Sequence, residues 1–127
     1  MVRFKIDLNS AVPPYYQLVQ EIKSEILSGK IENGYRLPSI REMAKTLQLN
    51  PNTVAKAYYN LEDEGLLECK GRKGSYVNYD KTRLDKLSNV IAEDELKVFL
   101  DKIFYLGISE DELKKMIAKH FERDHFK

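Results

Sequence analysis

Apolar side chains recur along this chain at helical spacing in several separate blocks, and each block carries its own start and stop signals. Tyr15, Leu18, Val19, Ile22, Ile26 and Leu27 make the first block. Pro13-Pro14 opens it, since a proline at the first helical position removes an N–H that would lack a partner anyway. Gly29 stands where the helix should stop. Ile40, Met43, Ala44 and Leu47 predict the inner face of a second helix, with Ser39 as N-cap and Glu42 three residues on. Val54, Ala57, Tyr58 and Leu61 predict a third, capped by Asn50, with Pro51 first and Gly65 last. The period then changes. Residues 66–69 and 75–78 read as short strands around Lys70-Gly71-Arg72-Lys73-Gly74, a Gly-bearing hairpin. Near the N-terminus Phe4, Ile6 and Leu8 alternate with Lys5 and Asp7, which suggests a short strand or extended arm.

After Tyr79 the pattern broadens. Leu84, Leu87, Ile91, Val98, Phe99, Ile103 and Leu106 fall on one wide side of a helical segment, 80–106, which Gly107 breaks. Ser109-Glu110-Asp111-Glu112 repeats the capping pattern before Leu113, Met116, Ile117, Ala118 and Phe121. The expected fold class is therefore mainly α with a small β-hairpin wing. It comprises a winged helix-turn-helix over residues 1–79 and a C-terminal two-helix dimerisation element over 80–127.

Composition adds limits. At 127 residues, with 43% hydrophobic and 32% charged, the chain has the make-up of one small globular domain with an appendage. Its net charge of +1 does not announce a polyanionic partner. The local distribution does: residues 36–56 hold four bases and one acid, Glu42, and residues 70–73 hold three bases and no acid. A single cysteine, Cys69, leaves no internal disulfide and fits a reducing compartment. No signal-peptide core opens the chain, and no apolar run approaches the roughly 20 residues of a membrane span. A cytoplasmic location is expected, with no membrane partner.

The second and third helices, joined through Gln48-Leu49-Asn50, have the spacing of a helix-turn-helix. In that motif the second helix enters the major groove and its first residues meet base edges. Here those are Asn52, Thr53 and Lys56: Asn suits adenine, Thr can touch a thymine methyl, and Lys reaches guanine or phosphate. Ser39 and Arg41, at the start of the preceding helix, are expected on phosphates, joined by Arg36. Arg72 and Lys73 between Gly71 and Gly74 suit insertion along a minor groove. Each feature alone has a plainer reading: Arg41 as a solvated charge, Asn50-Pro51-Asn52-Thr53 as a cap, Gly71-Arg72-Lys73-Gly74 as a turn. Their order and spacing favour the joint reading. Cys69 is expected as a small buried side chain. His120 and His125, near Glu122 and Asp124, are not spaced for one helix face, so no metal is expected. No cofactor-binding loop and no catalytic arrangement stands out, so the chain is not expected to be an enzyme.

Residues 13–77 resemble the N-terminal domain of the GntR family of bacterial transcription regulators. Pro14-Tyr15-Tyr16-Gln17-Leu18, Gly34-Tyr35-Arg36-Leu37-Pro38-Ser39, Arg41-Glu42-Met43-Ala44, Asn50-Pro51-Asn52-Thr53-Val54, Leu61-Glu62-Asp63-Glu64-Gly65-Leu66 and Gly71-Arg72-Lys73-Gly74 carry the likeness. The short tail, with Lys56-Ala57-Tyr58, resembles the YtrA branch. The resemblance implies a homodimeric repressor on a palindromic double-stranded DNA operator, often encoded beside transporter genes. By position it puts DNA contacts on Arg36, Ser39, Arg41, Asn52, Thr53, Lys56 and residues 71–74. Two positions depart from the family. Gln48 stands where glycine is common, at about 1 kcal/mol if the turn is left-handed. Pro51 stands where many members carry arginine, which shifts base reading to Asn52, Thr53 and Lys56.

The tail is too short to fold alone, because two helices in under 50 residues bury too little apolar surface. Leu84, Leu87, Ile91, Phe99, Ile103, Leu113, Ile117 and Phe121 are expected to form a dimer contact; packing on the chain's own winged domain is the alternative. The tail lacks the length of the ligand domains in larger GntR branches, which leaves an effector at a dimer or domain junction unidentified. A winged helix serving protein–protein contact without DNA specificity is the rival function.

Overall fold

The computed structural model describes residues 3–124, and side chains as far as residue 122. His125 therefore lies outside the described residues. The chain divides into two compact units, Met1–Asp85 and Lys86–Lys127. The division falls within the helix that begins at Lys81.

The first unit contains α1 (Pro14–Leu27), β1 (Arg36–Leu37), α2 (Ile40–Leu47), α3 (Pro51–Asp63), β2 (Leu67–Cys69), a single 3-10 turn (Gly71–Lys73) and β3 (Ser75–Val77). The caps are those the sequence predicts: Ser39 Oγ accepts from the Glu42 N–H at 3.1 Å, and Asn50 Oδ1 accepts from the Asn52 N–H at 2.8 Å. The turn between α2 and α3 closes on Gln48, whose φ of 56° and ψ of 46° are left-handed. It is the only non-glycine residue at positive φ among the described residues. Leu49 N–H then reaches back to the Ala44 carbonyl at 2.9 Å, the long bond that ends a helix of this kind.

The core lies where α1 and α3 cross. Leu18, Ile22 and Ile26 from α1 meet Val54, Ala57, Tyr58 and Leu61 from α3, with Ile31, Leu37, Leu66, Leu67 and Val77 closing the sides. Lys23 is buried with them and is held by Glu64 at 2.7 Å, so its charge is paired rather than stranded. One expected core position moves outward: Ile40, at the first turn of α2, is 37% exposed, while Met43 and Ala44 carry the packing.

The hairpin is part of a three-stranded antiparallel sheet of order β1-β3-β2. Arg36 pairs with Tyr76 and Leu37 with Ser75; on the other side Leu67 pairs with Val77 and Cys69 with Ser75. β1 escapes periodicity analysis because two residues have no period. Cys69 is half-buried, its N–H bound by Glu62 Oε2 at 2.9 Å, and burial pushes its thiol pKa up. The N-terminal arm forms no strand. Side chains of α1 supply the partners a neighbouring strand would have offered: Lys5 N–H donates to Glu21 and Asp7 N–H to Gln17, each at 2.8 Å, and Phe4 is buried beneath.

The second unit is a helical hairpin. The long helix α4 (Lys81–Tyr105) ends at Gly107, and α5 (Glu110–Asp124) starts on a reciprocal cap: Glu112 N–H donates to Ser109 Oγ and Ser109 N–H to Glu112 Oε1. Leu113 is its one buried side chain among the described residues, at 5% exposure.

Candidate nucleic-acid interface

α3 has two faces with different duties. Its inward face holds Val54, Ala57, Tyr58 and Leu61, all but sealed from solvent. The Tyr58 hydroxyl donates to the Pro38 carbonyl at 2.6 Å, which ties α3 to the corner leading into α2. Burial raises the Tyr58 phenol well above its ordinary pKa, so it stays a donor even in alkaline solution. The outward face gathers Asn52, Ala55, Lys56, Tyr59, Asn60 and Asp63 around one shallow depression. Asn52 and Lys56 are exposed there and Thr53 is half-buried.

Three details of this face bear on what it can contact. Lys56 does not project freely: its Nζ sits 3.9 Å from the centroid of the Tyr15 ring on α1, a cation–π contact worth about 0.5–1 kcal/mol at an exposed site. Tyr59 is 74% exposed on the outward face. The acidic end of α3 is mostly turned inward, with Glu62 bonded to the Cys69 N–H and Glu64 to Lys23, but Asp63 remains on the outward face.

The first turn of α2 lies beside this face in sequence and shares the Pro38 corner. The Ser39 hydroxyl spends a lone pair on the Glu42 N–H and keeps its proton to donate outward. Arg41 is exposed. Among the described residues no carboxylate lies within ion-pair distance of Arg36, Arg41, Lys56, Arg72 or Lys73.

The wing is stiffer than a plain hairpin turn. Lys70 N–H donates to the Gly74 carbonyl at 2.8 Å, and the Tyr76 hydroxyl donates to the Lys73 carbonyl at 2.8 Å. Lys70, though exposed, folds back over the Tyr76 ring and pairs with Glu68 at 3.9 Å, while Arg72 and Lys73 stand exposed at the tip. Gly74 has φ 100° and ψ −176°, a region essentially closed to other residues. A Cβ there would also stand 2.7 Å from Arg36 Nε. Arg36 thus packs against the wing from β1, a placement that no linear spacing reveals.

Exposed polar side chains on a helix of groove-entering size, a cationic helix start and a cationic wing are the kinds of feature that suit contact with a phosphate polymer. The pattern described as bacterial regulatory proteins, gntR family, matches residues 14–77. The chain belongs to the GntR family. It is thus a DNA-binding transcriptional regulator by family and not an enzyme. The GntR match extends beyond the winged unit. The HTH-type transcriptional repressor YtrA of Bacillus subtilis (strain 168) is 36% identical over 116 residues, spanning 91% of this chain and 89% of that protein. A GntR family transcriptional regulator from Listeria monocytogenes superposes with a TM-score of 0.77 at 33% identity, covering 88% of this chain and 98% of that one. The AraR DNA-binding domain in complex with operator ORX1 superposes with a TM-score of 0.54 at 26% identity, over 61% of this chain and 99% of that domain. No helix among the described residues is long and apolar enough to cross a membrane.

Proposed function

We propose that this chain is a cytoplasmic repressor that binds a palindromic operator as a homodimer, one winged unit to each half-site. The observation that carries the reading is the outward face of α3, where Asn52, Lys56 and Tyr59 stand exposed with no duty in the core. Asn52 and Thr53 are the base readers, and Arg36, Ser39, Arg41 and the tip from Gly71 to Gly74 grip the backbone. The similarity to YtrA supports repression, and the AraR–operator complex supports the mode of DNA engagement. Two-fold operators need two readers held at a fixed spacing. The tail offers the means: Phe99, Ile103, Leu113, Met116, Ile117, His120 and Phe121 line an apolar hollow of about 420 Å³, and Phe99 and Phe121 are exposed at it. Leu84, Leu87, Ile91 and Ile103 extend the surface along α4.

Fluorescence anisotropy on DNA from the region upstream of its own gene, against a random-sequence duplex, tests this across a salt series. A dimeric repressor binds the upstream duplex selectively and loses affinity steeply with salt. Weak binding that is equal on both duplexes and insensitive to salt favours a winged helix used for protein contact.

A further inference from the structure

The sequence places Lys56 among the base readers, but the structure fastens it to a residue outside the helix-turn-helix. Tyr15 is the second residue of α1, half-buried, and its ring lies under the Lys56 ammonium with 3.9 Å between Nζ and the centroid. That ring is itself braced. Tyr16 meets it edge to face, with centroids 6.5 Å apart and an interplanar angle of 81°. α1 and α3 pack against each other, with Leu18, Ile22, Val54 and Leu61 sealed from solvent, so the backbones that carry the two side chains are held together.

We propose that Tyr15 is a positioning residue for DNA binding, holding the Lys56 ammonium on the α1 flank of α3, where it meets a backbone phosphate at the groove wall rather than a base edge. This rests on the DNA-binding reading given above. The chemistry is consistent with it. An ammonium seated on an aromatic face still directs N–H donors away from the ring, so a phosphate oxygen can be taken without breaking the contact. A lysine normally gives up much of its rotamer freedom on docking, and here part of that loss is made before DNA arrives. The consequence is a division of labour on α3: Asn52 and Thr53 carry sequence preference, and Lys56 carries affinity common to all sequences.

The test measures anisotropy on two probes, a duplex enriched from a random pool by the wild-type protein and a random-sequence duplex, each across a salt series. Lys56→Ala should weaken both by the same factor and lower the salt slope by about one phosphate's worth. Tyr15→Leu should weaken both about two- to five-fold, while Tyr15→Phe, which keeps the ring face, should bind like wild type. In a Lys56→Ala background Tyr15→Leu should add no further loss. Pentafluorophenylalanine at position 15 keeps the ring's shape but inverts its electrostatic face, so it should reproduce the Tyr15→Leu loss without disturbing the packing. Wild-type affinity with the fluorinated ring, a Tyr15→Leu loss undiminished in the Lys56→Ala background, or a Lys56→Ala loss confined to the enriched duplex would each overturn the assignment. Those results leave the DNA-binding reading standing; failure of the wild-type protein to bind either duplex removes both.

Discussion

The winged unit and the tail unit contain similar proportions of apolar residues and spend them in opposite ways. In the first, α1, α3 and the sheet bury Leu18, Ile22, Val54, Leu61 and their neighbours almost completely. In the second, Val90, Leu96, Val98, Phe99, Phe104, Tyr105, Leu106, Met116, Ile117 and Phe121 are exposed, and Leu113 alone is buried among the described residues. A surface of that kind, rich in aromatic and aliphatic side chains, exceeds what scattered exposed residues on a monomer require. One unit is complete within a single chain, and the other presents an unfinished core. The proposed homodimer would complete it with a second copy, the same face serving both sides of a two-fold contact.

The sharpest way to break this contrast is to charge the tail. Phe99→Asp together with Ile117→Asp should convert a dimer to a monomer in sedimentation equilibrium at micromolar concentration. Operator affinity should fall about 100-fold or more, because the two half-sites are then bound independently. Retained dimerisation in that variant would place the contact elsewhere. Next in size is a matched pair of truncations. Leu61→Ala, in the sealed core, should cost about 2–5 kcal/mol in urea unfolding. Tyr105→Ala, at 90% exposure, should cost under about 0.5 kcal/mol when measured on the charged-tail monomer. Equal costs would erase the distinction between a finished and an unfinished core.

Within the winged unit the comparison narrows to two kinds of contact. Asn52→Ala should relax preference at one base pair of each half-site by about 1–3 kcal/mol, and Arg41→Ala should weaken all duplexes alike and flatten the salt slope by about one. Uniform losses for both would remove Asn52 from base reading. The smallest effect concerns the turn. Gln48→Gly should relieve left-handed strain of about 1 kcal/mol while adding unfolded-state freedom, for a net gain of about 0.5 kcal/mol or less in thermal unfolding.

What the sequence made legible followed from local rules. Helix starts at Ser39, Asn50 and Ser109 are written in side chains that bond the backbone within three residues, and the inner face of α3 is written in its spacing. The left-handed turn at Gln48 was reached through the family resemblance, which places glycine at that position, rather than through local spacing. What stayed hidden joins residues that are distant along the chain. β1 is two residues long and exists because β3 pairs with it. The Arg36 guanidinium lies against Gly74, and the Lys56 ammonium against Tyr15. Ile40 follows the helical period of its neighbours yet sits at the helix's outer end, where little remains to cover it. Periodicity specifies which face turns inward; it does not specify which foreign side chain will be waiting there.

The anchoring of α3 through Tyr58 and Pro38 has one more consequence. The residues that seal this helix into the core and the residues proposed to read bases are different residues, interleaved along thirteen positions, with Lys56 alone tied both to α1 and to the proposed interface. Asn52 and Tyr59 can be exchanged with an effect on folding of about 0.5 kcal/mol or less, since neither enters the core. On the proposed division the helix is a replaceable label on a fixed mount, and rewriting the label while Val54, Ala57, Tyr58 and Leu61 stay as they are should retarget the chain to a new operator.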